Sequence, residues 1–492
     1  MSNDHNKKRI SRNVLATVTQ VLISGVVFFV LYRYLYDRLG VEQIGVWSLV
    51  LAATSVSRIG ELGLSAGVVR FVAQALGRGD TQRAADVVQT TALTLGAFMA
   101  VLLTAGYPIF TLILGYLLPP HGVPVAMCIL PYALVSLCVL VIVSVLSGGL
   151  DGCMRMDIRS LLTGSSHLLY LTLAMLLVPK YGLVGVAQAQ LIQSVGLMCV
   201  LWWALKRQLE ELPMVPLYWK LPVLREMIGY GVNFQIITVV NMLFDPVIKA
   251  LMSRFGGLGA LGYYEMANRL ILQGRSLIIE ASRVMVPAIA RLQEQEKGQA
   301  KELFIISYRS TFFVSALFYG LLGISITAIS MLWLGHDQAT FIQFALLLNL
   351  GWFSNTLIGP AYFSNLGSGK LRANMYSHII MGLSSLLVGG ALGSLYGGLG
   401  VILGAITGLL SGSFFLLFSH ISDLDLNWKS FIIPEDMKKL MILSIALILL
   451  SNGIAYQMPS LLIVIFVALL TSSMLFLFFF KHPNTRVLMG NS

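Results

Sequence analysis

Charged side chains inside long apolar stretches are the residues of this sequence best suited to chemistry. If these stretches cross a bilayer, each charge costs about 3 kcal/mol to insert, so such residues usually face a water-filled cavity. In the interiors of the first, second, seventh and eighth of these stretches, seven basic residues against four acidic ones leave an excess of three positive charges, which favours an anionic ligand, and guanidinium groups suit phosphate oxygens. The residues are Arg33, Arg58, Glu61, Arg70, Asp245, Lys249, Glu265, Arg269, Arg275, Glu280 and Arg283.

Most of these charges have an opposite charge one helical turn away, so an alternative is that they only hold helices together. The pairs are Arg58 with Glu61, Asp245 with Lys249, Glu265 with Arg269, Glu280 with Arg283, and Arg33 with Asp37. Arg275 has no acidic residue three or four positions away, which makes it the strongest candidate for a substrate contact. Arg58 ranks next, and the substrate-binding set is completed by Arg269, Arg283, Lys249 and Arg33.

The intramembrane carboxylates are candidates for binding a coupling ion. Thr238, Asn241, Asp245 and Lys249 recur every three or four residues and form a polar stripe along one helix. Asp245 precedes Pro246, which removes a backbone hydrogen bond and can kink the helix beside this stripe. A carboxylate there could bind a proton or sodium, although a salt bridge to Lys249 is an equal alternative. The full set of coupling-ion candidates is Asp245, Glu61, Glu265 and Glu280. The sequence contains no nucleotide-binding, hydrolase or metal-ligand motif, so we expect no cofactor, no metal and no enzymatic activity.

The composition indicates which elements carry these side chains. The 492 residues are 57% hydrophobic and only 11% charged, and the mean hydropathy is +0.81. A soluble domain normally has about 25% charged residues, so a soluble enzyme or DNA-binding domain is excluded. The net charge of +11 does not form a basic stripe, which argues against nucleic acid as a partner. We therefore predict an all-α polytopic membrane protein.

Fourteen apolar segments are long enough to cross a membrane as helices. They are residues 14–36, 44–74, 87–114, 125–149, 160–178, 183–205, 226–252, 260–289, 303–333, 340–365, 375–395, 399–418, 438–456 and 459–480. With the N-terminus inside, the cytoplasmic segments carry 22 basic residues, and the outer loops carry Arg38, Lys180 and Arg254. The positive-inside rule then places both termini in the cytoplasm.

Internal similarity divides these segments into two halves. A shift of 217 residues places Gly40, Gly45 and Arg58 on Gly257, Gly262 and Arg275, and a shift of 215 places YGLVGV (181–186) on YGGLGV (396–401). An interval of six spans preserves orientation, so the halves are parallel repeats, and we expect two lobes that face a central cavity. The predicted organisation is an N-terminal lobe (1–205), a cytoplasmic linker (206–225), a C-terminal lobe (226–418) and an appendix of two helices (419–492).

Several segments together identify a family. They are RLGVEQIGVWSLV (38–50), ELGLSAGVVRFVA (61–73), GCMRMDIRS (152–160), YGLVGVAQAQLI (181–192), LGYYEMANRLI (261–271) and RVMVPAIARL (283–292). Over residues 10–420 the chain resembles bacterial polysaccharide exporters, the O-antigen (Wzx-type) flippases of the multidrug/oligosaccharidyl-lipid/polysaccharide (MOP) superfamily. The motif LGYYEMANRLI is the most specific of these segments.

The resemblance implies a V-shaped transporter of the bacterial inner membrane that works by alternating access. Its substrate would be an undecaprenyl-pyrophosphate-linked oligosaccharide, moved from the cytoplasmic to the periplasmic leaflet, with membrane lipids, a glycan polymerase and a chain-length regulator as partners. The related lipid II flippase has cationic cavity residues on its first, second and eighth helices, which here carry Arg33, Arg58, Arg269 and Arg275. Glu61 stands where relatives often have Asp.

Three other functions fit the sequence less well. A cation-coupled multidrug exporter of the same superfamily is the nearest alternative, but cationic drugs favour an acidic cavity. A major-facilitator transporter shares the six-plus-six repeat but lacks the last two spans. A membrane-bound glycan polymerase or ligase would need a large outer loop, whereas the outer loops here are short.

Overall fold

A computed structural model describes residues 2–61, 64–216, 218–282, 297–426, 435–458 and 460–481. This part of the chain is helical and has no strands. The helices of its first half are α1 (Ser2–Leu39), α2 (Val41–Ser55), α3 (Leu64–Gly77), α4 (Thr81–Leu117), α5 (Val123–Gly152), α6 (Met156–Tyr181), α7 (Leu183–Lys206) and α8 (Leu221–Leu251). Those of its second half are α9 (Gly257–Ser282), α10 (Lys297–Leu334), α11 (Ala339–Leu357), α12 (Gly359–Ser368), α13 (Leu371–Asp423), α14 (Glu435–Gln457) and α15 (Leu461–Lys481).

These helices bear out the expected all-α membrane fold. Within the described ranges, nine segments are long and apolar enough to cross a membrane. The predicted spans 11 and 12 lie in the single 53-residue helical stretch α13, which is interrupted at Gly397 by a backbone conformation of φ 60° and ψ −139°. At 1.5 Å per residue a straight helix of that length would be about 80 Å long, more than twice the thickness of the hydrocarbon core of about 30 Å, so α13 contains two crossings.

The second predicted span is not one continuous helix, and that expectation was wrong. Helix α2 ends at Ser55 and a 3₁₀ turn follows over Val56–Glu61. The hydroxyl of Thr54 donates to the Val50 carbonyl at 2.9 Å and that of Ser55 to the Ala52 carbonyl at 2.8 Å. Because such side chains compete for backbone hydrogen bonds, they weaken the last helical turn.

The chain divides into two compact units, residues 1–254 and 255–492. In the first unit, α5 packs against α3, α4 and α7, and α8 packs against α2, α3 and α4. Their shared core contains Val68, Val72 and Leu201. Gly152 allows α5 to approach α3, because a Cβ at this position would lie 2.7 Å from the Cβ of Val72. Helix α8, which the repeat assigns to the second lobe, therefore belongs to the first unit by its packing, while the lobe boundaries stay a prediction.

In the second unit, α11 packs between α9, α10 and α13, and the last two helices pack on α10. Asn452 of α14 accepts a hydrogen bond from Thr327 at 2.6 Å and donates to the Gly323 carbonyl at 3.0 Å. The hydroxyl of Ser451 donates to the Ile324 carbonyl at 3.0 Å. These bonds attach the predicted appendix to the unit that contains α10.

The backbone reproduces the repeat at the glycines that defined it. Gly40 and Gly257 both have φ of +80°, and each stands at the start of the helix that follows. Gly182 has φ 57° and ψ −135°, close to the values of Gly397. Such backbone conformations are practically restricted to glycine, so the sequence matches at shifts of 217 and 215 residues correspond to equivalent turns.

Candidate functional site

In the first unit, the 3₁₀ turn between α2 and α3 presents Arg58 beside a carboxylate. Its Nε donates to Glu61 Oε1 at 2.6 Å. Glu61 also accepts a hydrogen bond from Ser65 at 3.3 Å, and Ser65 lies 2.8 Å from the hydroxyl of Ser144 on α5. The carboxylate is therefore held from two sides and is only 13% exposed, whereas the Arg58 side chain is 46% exposed.

The ion pair uses a small part of the hydrogen-bonding capacity of Arg58. A guanidinium carries five N–H donors, four of them on the two Nη atoms. Within the described part of the chain, the Nη atoms of Arg58 have no hydrogen-bond partner. Arg58 can therefore bind an anion through these atoms while it remains attached to Glu61.

In the second unit, Arg275 of α9 lies against two residues of α11. Its Nη2 donates to Asn355 Oδ1 at 2.8 Å, and its guanidinium carbon lies 4.9 Å from the centre of the Trp352 ring. Trp352 and Asn355 are three residues apart, so they share one face of α11. No carboxylate forms an ion pair with Arg275 in the described ranges, and its Nε is buried without a hydrogen-bond partner there.

A polar network holds these partners of Arg275 in place. The indole Nε1 of Trp352 donates to Asn268 Oδ1 at 2.8 Å, which ties α11 to α9. Asn355 Nδ2 donates to the hydroxyl of Ser413 on α13 at 3.4 Å. Neutral groups thus orient the guanidinium, and its positive charge remains uncompensated by these contacts.

His378 extends this buried polar region. It lies on α13 with 8% exposure, and its ring packs edge-on against Tyr362 at a centroid distance of 5.8 Å. Neither ring nitrogen has a hydrogen-bond partner among the described residues, and the ring is close enough to Arg275 to interact with it electrostatically. No sequence pattern singles out His378, Asn355 or Trp352.

Three of the other expected local pairs form. Lys249 lies 2.8 Å from Asp245, and Arg269 lies 2.9 Å from Glu265. In the first pair the cation is the buried member, since Lys249 is 7% exposed. In the second pair the carboxylate is the buried member, since Glu265 is 2% exposed. Nearer the N-terminus, Arg33 and Asp37 form a partly exposed pair at 2.8 Å. Glu280 is exposed and Arg283 lies outside the described residues.

A metal site is not evident in the ranges that the structure describes, since no three His, Cys, Asp or Glu side chains cluster there. The four cysteines, Cys128, Cys138, Cys153 and Cys199, are all free.

The fold resembles that of several solved membrane transporters. Lipid II flippase MurJ, in an inward closed conformation, aligns over 95% of this chain and 98% of its own with a TM-score of 0.73 and 15% identity. A multidrug resistance MATE family transporter of the MOP superfamily, in its inward-facing conformation, aligns over 83% of this chain and 98% of its own with a TM-score of 0.72 and 13% identity. A MOP superfamily transporter from Pyrococcus furiosus aligns over 84% and 95%, with a TM-score of 0.60 and 13% identity. At these identities the likeness defines the fold, which is that of MOP-superfamily transporters.

Sequence comparison identifies the family to which the chain belongs. The family model described as polysaccharide biosynthesis protein matches residues 39–337, more than half of the chain. No curated protein sequence matches the chain significantly. The chain belongs to the polysaccharide biosynthesis protein family and is a multi-pass membrane protein with the MOP transporter fold. This confirms the resemblance inferred from the sequence motifs.

Proposed function

We propose that this protein is a flippase for an undecaprenyl-pyrophosphate-linked glycan, which is an O-antigen, capsule or exopolysaccharide unit. It moves the lipid-linked glycan from the cytoplasmic to the periplasmic leaflet of the bacterial inner membrane by alternating access, with both termini in the cytoplasm. Family membership supports the polysaccharide pathway, and the fold supports a transporter.

The observation that carries the proposal is the environment of Arg275. A guanidinium within a membrane protein is costly unless an anion or several hydrogen bonds compensate for it. Arg275 has one amide acceptor and an aromatic face, but no carboxylate partner in the described part of the chain. A pyrophosphate supplies the missing anion and accepts bidentate hydrogen bonds from a guanidinium.

Arg58 is the repeat-related counterpart of Arg275 and takes the same role in the first unit. Its Nη donors face no protein acceptor in the described ranges, while Glu61 keeps its Nε in place. In this proposal Arg33, Lys249, Arg269 and Arg283 form the remaining substrate-binding set and raise the local positive potential, which attracts the anion.

The intramembrane carboxylates couple transport to a proton or sodium gradient in this proposal. Glu265 is the most buried of them, and its charge is balanced by an arginine that is far more exposed. Protonation or sodium binding at Glu265 would compete with that arginine. Asp245, Glu61 and Glu280 are the other candidates. The translocated glycan would then pass to a polymerase and its chain-length regulator.

A leaflet assay for lipid-linked oligosaccharide tests the proposal. Cells that lack the protein should accumulate the lipid on the cytoplasmic side, cells with the wild-type protein should clear it, and cells with Arg275→Ala should resemble the deletion. Arg275→Lys should restore clearance only in part, because a lysine cannot make the bidentate contact. Lys370→Ala is the matched control, since it removes one exposed positive charge that pairs with Asp423 at the surface.

Two results would contradict the proposal. If the lipid lies outside in all strains, the protein is not its flippase. If Arg275→Ala and Lys370→Ala clear the lipid equally well at equal protein level, Arg275 does not bind the pyrophosphate.

A further inference from the structure

The first unit contains an apolar groove with a volume of about 630 Å³. Its walls come from α2, the 3₁₀ turn that follows α2, α4 and α8, and they include Leu49, Phe98, Leu102, Ile109, Leu243 and Val247. Of the lining residues in the described part of the chain, Ser57 is the one with a polar side chain. The volume falls within the range of about 300–1,000 Å³ that is common for ligand sites in proteins.

The walls of this groove suit a hydrocarbon chain. Ile109 is 59% exposed and Leu102 is 37% exposed, so substantial apolar surface is left uncovered by the protein. Water is a poor occupant of such a space because it would find almost no hydrogen-bond partner. An apolar chain of a lipid gains by leaving water or disordered lipid for these contacts.

The groove is adjacent in the chain to the cationic residue Arg58. Its wall includes Val56 and Ser57, and the next residue in the chain is Arg58. The Nη donors of Arg58 have no acceptor in the described ranges, since its ion pair with Glu61 uses Nε. A lipid with an apolar tail and a phosphate head has both complementary features, the apolar chain for the groove and the anion for Arg58.

We propose that this groove binds the polyprenyl tail of the transported lipid while Arg58 binds its pyrophosphate. The inference rests on the proposed function and adds a tail-binding site to it. A phospholipid of the bilayer is the competing occupant, and it would need no phosphate contact with Arg58.

Photocrosslinking of the purified full-length protein tests the occupant. Benzoylphenylalanine replaces Leu102 in the groove or, as a matched control, Met198 in a second apolar cavity of about 610 Å³ that also lies in the first unit. The probe is undecaprenyl phosphate, with excess phosphatidylglycerol as competitor. We expect labelling at position 102 that resists the competitor and falls when Arg58→Gln is added, and little labelling at position 198.

Equal labelling at both positions, or labelling at position 102 that phosphatidylglycerol abolishes, would overturn the inference. Either result would mean that apolar surface alone retains lipid there. This readout does not depend on transport. If the wild-type protein clears lipid-linked glycan in cells but the crosslinking variants give either result, the groove is refuted and the proposed function stands. A wild-type protein that clears none refutes the proposed function.

Filling the groove gives a second test. Ala53→Phe and Ala250→Phe introduce rings among the lining residues, and Ala97→Phe does the same in the second cavity on α4. We expect the first two to lower undecaprenyl phosphate binding about tenfold, because displacing even two methylene groups of the tail accounts for a factor of this size. The variants are compared at equal yield of monodisperse protein. If Ala53→Phe and Ala250→Phe both bind undecaprenyl phosphate as well as Ala97→Phe does, the groove is refuted.

Discussion

At the residue scale, neutral partners distinguish Arg275 from four other intramembrane cations in the described part of the chain. Arg33, Arg58, Lys249 and Arg269 each lie within 3 Å of a carboxylate. Arg275 is instead oriented by an amide and an indole. An amide acceptor fixes the guanidinium without cancelling its charge, so the side chain keeps its attraction for an anion.

The charge of the side chain at position 355 should therefore control anion binding. Asn355→Asp places a carboxylate 2.8 Å from the Arg275 nitrogen, where it would neutralise the guanidinium and compete with the substrate. Asn355→Ala removes the orienting bond and leaves the charge. We expect transport to fall at least about tenfold in Asn355→Asp, since the substrate would lose a charge-assisted hydrogen bond from Arg275 and such a bond contributes about 1.5–3 kcal/mol. The loss in Asn355→Ala should be smaller, as measured by the leaflet assay at equal protein level. Equal activities of the two variants would contradict this account.

Burial should also separate two ion pairs that have the same spacing in the sequence. Arg269→Ala leaves the almost fully buried Glu265 without this partner and should destabilise the protein by about 3 kcal/mol. Arg33→Ala leaves Asp37, which is 47% exposed, and should cost only about 0.5 kcal/mol. Denaturation in detergent, followed by tryptophan fluorescence, compares both variants with the wild type. Destabilisation by the same amount would show that burial does not control these pairs.

Only those features of the candidate site that depend on residues three or four positions apart could be predicted from the sequence. The four local ion pairs and the isolation of Arg275 from nearby acids follow from positions three or four residues apart. Asn355 and Trp352 lie about 80 residues from Arg275, and polar or aromatic side chains occur throughout the apolar segments. Only the packing of α9 against α11 selects these two residues, and a periodicity does not encode that packing.

At the element scale, the spans were predictable from apolar length and their interruptions were not. The 3₁₀ turn after α2 has only six residues and lies between apolar segments, so a hydropathy window of about 20 residues averages over it. Ser55 and Gly60 were the available signals for the break. The division of the tenth predicted span into α11 and α12 has a clearer signal in Pro360, which stands near the start of α12.

The glycines at the repeat-related turns should tolerate no side chain. Gly397→Ala and Gly182→Ala force a Cβ into a backbone region that L-residues avoid, at a cost of about 1–3 kcal/mol each. Gly390→Ala is the matched control in α13, because nothing lies within 4 Å of its added Cβ. It should be neutral or stabilising by about 0.5–1 kcal/mol. Thermal unfolding in detergent gives the comparison, and a Gly397→Ala protein as stable as Gly390→Ala would contradict the turn geometry.

At the scale of the whole molecule, two kinds of division run through the chain. The sequence repeat relates residues before the linker to residues after it, and the turns at Gly182 and Gly397 carry that relation into the backbone. Packing instead divides the chain after Arg254, so that α8 joins the first unit. A repeat records sequence similarity, whereas a packing unit records where apolar surface is buried, and the two need not share a boundary.

The charge distribution makes a prediction for the topology of the whole chain. Because 22 basic residues fall in alternate loops and tails and three in the others, both termini should lie in the cytoplasm. A fluorescent protein fused after Ser492 should fluoresce, since it folds in the cytoplasm. Single cysteines placed in a variant without the four native ones should react with an impermeant maleimide in intact cells at positions 180 and 336, and at position 370 only after lysis. Labelling of position 370 in intact cells would invert the topology and reverse the proposed direction of transport.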